Sequence, residues 1–103
     1  MSDLSQAQLR YLRGRGHALK PVIQIGQHGL TAAVLAETVR ALGAHELIKV
    51  RLQAPDRAAR DALLADLARQ SLSTLVSRIG HVALLFRPNP ALTRYPLPDP
   101  AQR

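Results

Sequence analysis

The sequence predicts a single α/β domain with three helices and four strands. Three observations carry that expectation. Apolar residues recur at helical spacing in three segments, short apolar or alternating runs lie between them, and glycine or proline marks the junctions. A length of 103 residues suffices for one hydrophobic core and not for a second.

Asp3 or Ser5 can cap a first helix reaching about Arg13, with Leu9 and Leu12 on one face and Gly14 and Gly16 ending it. Arg10, Arg13, Arg15, His17 and Lys20 make this the most basic stretch of the chain. Pro21–Ile25 reads as a short strand that stops at Gly26-Gln27-His28-Gly29. Thr31 is placed to cap a second helix, in which Val34, Leu35, Thr38, Val39 and Leu42 recur at helical spacing, and Gly43 is expected to close it.

A second strand covers residues 45–52, where Ile48, Val50 and Leu52 face one way and Leu47, Lys49 and Arg51 the other. The second face is half basic. Pro55 and Asp56 introduce a third helix with Leu63, Leu64 and Leu67 inward. Its Arg57, Arg60, Asp61, Asp66 and Arg69 have the pattern of a solvated face with local charge pairs. Two strands, residues 72–79 and 81–87, are joined at or near Gly80, with Val82, Leu84 and Phe86 alternating against His81, Leu85 and Arg87. Helices are expected to cover the apolar sheet face and the first helix only part of the other, so Lys49, Arg51, Arg78 and Arg87 should share an open positive surface. Residues 1–88 then form the domain. Residues 89–103 form a proline-rich tail expected to be extended and poorly ordered, since five of the seven prolines begin at Pro88.

Fourteen Lys and Arg stand against seven Asp and Glu, a net charge of +7. Such a balance favours polyanions through phosphate contacts and counterion release. All the basic residues except Lys20 and Lys49 are arginines, which can grip phosphate bidentately. Anionic membrane is the second partner class. The narrow apolar face of the first helix argues against it, and no stretch approaches the length of a membrane span. With only Phe86, Tyr11 and Tyr95 as aromatics, backbone contacts are favoured over wide stacking platforms. The absence of cysteine removes disulfides, thiolate metal sites and thiol nucleophiles, and fits a soluble protein of the reducing cytoplasm.

His17, His28, His45 and His81 form no pair with ligand spacing, so neither a metal nor another cofactor is expected. In the loop region an acid–base pair for RNA cleavage could come only from His28 with Lys20, and no carboxylate accompanies them in sequence. The expectation is a binding protein, not an enzyme.

Gly26-Gln27-His28-Gly29 combines two glycines, which admit close backbone approach, with the start of a helix whose free N–H groups and dipole attract anions. The tetrapeptide also suits a plain strand-to-helix turn. Its context favours binding, because Lys20 precedes the strand, Gln27 and His28 can donate hydrogen bonds, and the basic first helix is close in sequence. A loop of this form clamps the nucleotide backbone in KH domains.

The runs Leu19-Lys-Pro-Val-Ile-Gln-Ile-Gly-Gln-His-Gly-Leu-Thr31, His45-Glu-Leu-Ile-Lys-Val-Arg51 and Arg78-Ile-Gly-His-Val-Ala-Leu-Leu-Phe-Arg87 resemble the CRM domain, in particular its stand-alone bacterial form, the YhbY type. The resemblance covers residues 4 to 88 in three ordered blocks. It implies a compact domain with a four-stranded mixed sheet, like the C-terminal domain of a bacterial translation initiation factor. It also implies binding to ribosomal RNA or its precursor, the 23S rRNA or a pre-50S particle, in aid of large-subunit assembly. Carried over by position, Gly26, Gln27, His28 and Gly29 would be the RNA loop, with Lys20 and Arg13 a flanking basic patch. Arg10, Thr31, Lys49 and Arg51 complete the candidate RNA-binding set. Relatives often carry Lys or Arg in the loop's middle pair, where this chain has Gln27 and His28; protonation of His28 on acidification would place a cation there. A monomeric adaptor is expected. The competing readings are an adaptor for a non-ribosomal structured RNA, a protein-interaction module and a nuclease.

Overall fold

The computed structural model describes residues 4–99. Its elements are α1 (Gln6–Gly16), β1 (Pro21–Ile25), α2 (Ala32–His45), β2 (Leu47–Leu52), α3 (Arg57–Ser71), β3 (Thr74–Ile79) and β4 (Val82–Phe86). The predicted order of three helices and four strands is the observed one. The strands form one mixed sheet in the order β1-β2-β4-β3, with β1 parallel to β2 and β4 antiparallel to both neighbours. Parallel pairing of β1 and β2 requires a crossover, and α2 supplies it.

Capping residues fix where the helices begin. Ser5 Oγ accepts from the Gln8 backbone N–H at 3.1 Å while Gln8 Oε1 accepts from the Ser5 N–H at 3.0 Å, a reciprocal capping box. Thr31 Oγ1 accepts from Val34 N at 3.1 Å, and Asp56 Oδ1 accepts from Ala59 N at 2.8 Å. The helix ends differ in part from expectation. Gly14 lies within α1, which does end at Gly16, and Gly43 lies within α2, which continues to His45.

Gly16 has a packing role besides ending the helix. A Cβ there would come within 2.5 Å of Leu84 Cδ1, so the glycine lets α1 lie directly on the sheet. Gly16→Ala gains helix propensity but overpacks a buried contact, so a net loss of about 1 kcal/mol is expected in urea unfolding. A gain in stability would show that Leu84 moves aside without cost.

Both faces of the sheet are covered. On one, α2 and α3 bury Ile23, Ile25, Ile48, Val50 and Leu85 together with Leu42, Leu64 and Leu67. On the other, Leu12 of α1 meets Leu47, Val76, Leu84 and Phe86. Hence four consecutive residues of β4, Ala83 to Phe86, are buried, the signature of a central strand covered on both sides.

The second cluster is completed by the proline-rich segment. The described residues after Pro88 form no helix or strand, yet Tyr95 and Leu97 pack on this cluster, and the Tyr95 ring meets Phe86 edge-on at 6.5 Å. Gln8 Nε2 donates to the Pro98 carbonyl at 3.0 Å. The expectation of a poorly ordered tail thus gives way to a packed one as far as residue 99. Proline restricts the unfolded chain, so laying down such a segment costs less entropy than an ordinary loop.

Glu46 anchors this segment. It is 2% exposed and has φ 67°, uncommon for a residue with a side chain. Its carboxylate accepts from the backbone N–H of Asn89 at 2.6 Å and of Arg94 at 2.5 Å, and its backbone carbonyl accepts from Arg87 N at 2.8 Å.

Candidate nucleic-acid interface

The loop between β1 and α2 is a tight turn in which Gly29 N donates to the Gly26 carbonyl at 3.0 Å. Gly29 has φ +69°, a conformation that side-chain-bearing residues rarely adopt, whereas a Cβ on Gly26 would meet nothing within 4 Å. Gly26, Gln27 and His28 are exposed. Behind them Thr31 opens α2, whose first-turn N–H groups have no intrahelical acceptor and carry the positive end of the helix dipole. The loop can therefore present open backbone and side-chain donors to an anion.

Its neighbour is the segment after β2, held by a bond from Gln53 N to the Ile25 carbonyl at 2.9 Å. Gln27, Gln53, Ala54 and Pro55 line one shallow cleft, and Arg51, Gln53, Ala54 and His81 line the next. Because the clefts share Gln53 and Ala54, a continuous strip leads from the loop to Arg51. Arg51 is exposed on the α1 side of the sheet. Two residues along the same face, Lys49 shares a groove with Arg13, His17, Ile79 and Val82, and its Nζ donates to the His17 carbonyl at 3.3 Å. Arg10 and Arg13, three positions apart, continue the strip along α1 and are exposed.

The structure thus brings together nine of the ten predicted residues, from Gly26, Gln27, His28, Gly29 and Thr31 through Arg51 and Lys49 to Arg13 and Arg10. Lys20 is the exception. It precedes β1 while the loop follows it, so the two are separated by about 20 Å of extended chain. Lys20 lies instead with His45, Lys49, Arg94 and Tyr95 around a pocket that meets the strip only at Lys49.

The shared surface expected for Lys49, Arg51, Arg78 and Arg87 also needs correction. Arg78 pairs with Ala83 of β4 and so points to the helical side, where its Nε meets Asp61 Oδ1 at 2.7 Å. Arg87 extends the same side, donating to the Ser71 carbonyl at 3.0 Å and the Val39 carbonyl at 3.3 Å and so tying α2 to α3. Only Lys49 and Arg51 belong to the open strip. The period of two put Arg87 on the face of Leu85, but nothing in it showed that this face was the one roofed by helices.

The outward face of α3 is electrically compensated. Arg57 lies 3.9 Å from Asp61, and Arg69 pairs with Asp66. Hydrogen bonds from Gln70 and then Arg69 hold the exposed Asp66 carboxyl below its ordinary range, so any stability they lend is present above the unfolded value and fades as pH falls through the folded one. Arg10, Arg13, Lys49 and Arg51 of the strip form no ion pair among the described residues. Sequence reasoning missed Arg94 and Tyr95. The available signal was the apolar pair Tyr95 and Leu97 inside a segment otherwise read as extended.

Among the described residues no group of three or more His, Asp or Glu is arranged to hold a metal ion, and no helix is long and apolar enough to cross a membrane.

Comparison with known proteins gives a consistent picture. A Pseudomonas aeruginosa protein named "Probable RNA-binding protein" is 51% identical over 87 residues, covering 84% of each chain. A Haemophilus influenzae protein named "RNA-binding protein" is 40% identical over 89 residues, covering 86% of this chain and 90% of its own. The solution structure of a Staphylococcus aureus protein described as a candidate RNA-binding protein superposes with a TM-score of 0.82 at 29% identity, over 92% of this chain and 99% of that one. These relatives are named for RNA binding. Residues 4–87 match the model of the CRS1 / YhbY (CRM) domain, and the chain belongs to that family.

Proposed function

We propose that this protein is a monomeric cytoplasmic RNA-binding adaptor that docks on large-subunit ribosomal RNA or its precursor and assists assembly of the 50S particle. The observation that carries the reading is the continuity of the strip, in which an open Gly-x-x-Gly turn adjoins exposed Arg51 and the basic edge of α1. RNA binding is what the relatives are named for. The mechanism needs binding energy only: loop backbone and arginines contact phosphates and hold one RNA conformer.

Each phosphate neutralised adds roughly 0.7–0.9 to the salt slope, so Arg51→Glu is expected to flatten the dependence of affinity on salt by about one contact. A flat dependence in the unaltered protein would remove the electrostatic basis of the proposal. Gradient sedimentation of lysate at low and high salt tests the target. Comigration with large-subunit or precursor particles, weakened by salt and by Arg51→Glu, supports assembly work. Sedimentation at the top with RNA binding retained would instead indicate a non-ribosomal structured RNA.

A further inference from the structure

A cavity of about 250 Å³ opens at the end of the sheet opposite the glycine turn. Its lining includes the apolar Leu19, Val22, Leu47 and Ile48 and the ring of Tyr95. Lys20, Lys49 and Arg94 stand around it, and no carboxylate lines it among the described residues. Glu46, the nearest acid in sequence, is buried and engaged by the backbone N–H groups of Asn89 and Arg94. That bond fixes the backbone of Arg94 beside the opening. An apolar lining that includes an aromatic side chain suits a planar ring, and a cationic rim suits the phosphate attached to it. The volume lies below the roughly 300–1,000 Å³ of drug-sized ligand sites, so it admits one ring system.

We propose that this pocket takes a single unstacked nucleotide of the bound RNA, its base against Tyr95 and Val22 and its phosphate at Lys20 and Arg94. The inference rests on the RNA-binding reading but not on the glycine loop. Arg94 and Tyr95 lie beyond the family match, which ends at residue 87. One RNA strand reaching from the loop to the pocket would be held at both ends of β1, which gives Lys20 a role that its distance from the loop denies it.

The test is a titration of the isotope-labelled full-length chain with AMP and, separately, with inorganic phosphate, followed by amide chemical shifts. AMP is expected to shift Val22, Arg94 and Tyr95 saturably, while phosphate alone leaves Val22 and Tyr95 unmoved. Val22→Glu and Arg94→Glu, both at exposed positions, should each weaken AMP by roughly tenfold, the scale of one stacking or charge contact, with unchanged thermal melts. Gly26→Asp should leave the AMP response intact while weakening a structured RNA, which separates the pocket from the loop. Identical shifts from phosphate and AMP would reduce the site to an anion-binding patch. Absence of shifts at these amides would remove the pocket from the RNA path, whatever the outcome for the loop.

Discussion

Gly26→Asp is expected to lower affinity for a structured ribosomal RNA fragment by about 1–3 kcal/mol, roughly 5- to 150-fold, with an unchanged melting temperature. The effect arises because a carboxylate would stand where backbone meets phosphate, adding like charge and bulk at once. The fold tolerates the substitution because a Cβ at Gly26 meets nothing within 4 Å. Gly29→Asp, the obvious alternative in the same loop, is a poorer probe. Its φ of +69° makes any side chain costly, by on the order of 1 kcal/mol. Its binding loss would therefore be mixed with a stability loss. Fluorescence anisotropy and thermal melts on both variants separate the two effects. Undiminished binding by Gly26→Asp would move the main contact to Lys49 and Arg51.

Glu46→Ala should be the most damaging polar substitution in the molecule, with a loss of about 2–4 kcal/mol in urea unfolding. The alanine leaves two backbone donors, Asn89 N and Arg94 N, without the acceptor they use. It also keeps a side chain at φ 67°. Glu46→Gly loses the same bonds but relieves the backbone by about 1 kcal/mol, so it should be the milder of the two. Both variants should free the segment after Asn89 and hasten tryptic cleavage after Arg94. Equal stability of the alanine variant and the parent would mean that water replaces the carboxylate without cost.

Much of the fold could be read from periodicity. The alternation of Ile48, Val50 and Leu52 against Leu47, Lys49 and Arg51 gave β2 and its two faces, and Thr31 marked the start of α2, because these signals are local. The errors came from non-local causes. Gly16 ends α1 as a local rule expects, yet the clearance it gives Leu84, 68 positions further on in sequence, is invisible to that rule. Arg78 and Arg87 were assigned to an open face because alternation gives two sides and not which one the helices roof. The candidate site was legible as a loop and as a basic face. The separation of Lys20 from the loop was legible too, because five extended residues lie between them; closeness in sequence is not closeness in space along a strand. The tail was misread because proline content describes local stiffness, while Tyr95 and Leu97 are held by a cluster whose other members come from α1, β2, β3 and β4.

The layer closed by α1 and the tail has a consequence for how the two halves of the core depend on one another. Its outer seam, sealed by the bond from Gln8 to Pro98, joins residues 90 positions apart. The cluster roofed by α2 and α3 draws on residues between Ile23 and Leu85. It needs neither α1 nor the tail. Leu12, by contrast, is fully enclosed only when Tyr95 and Leu97 pack on its cluster, so the first helix depends for its burial on the last described segment of the chain.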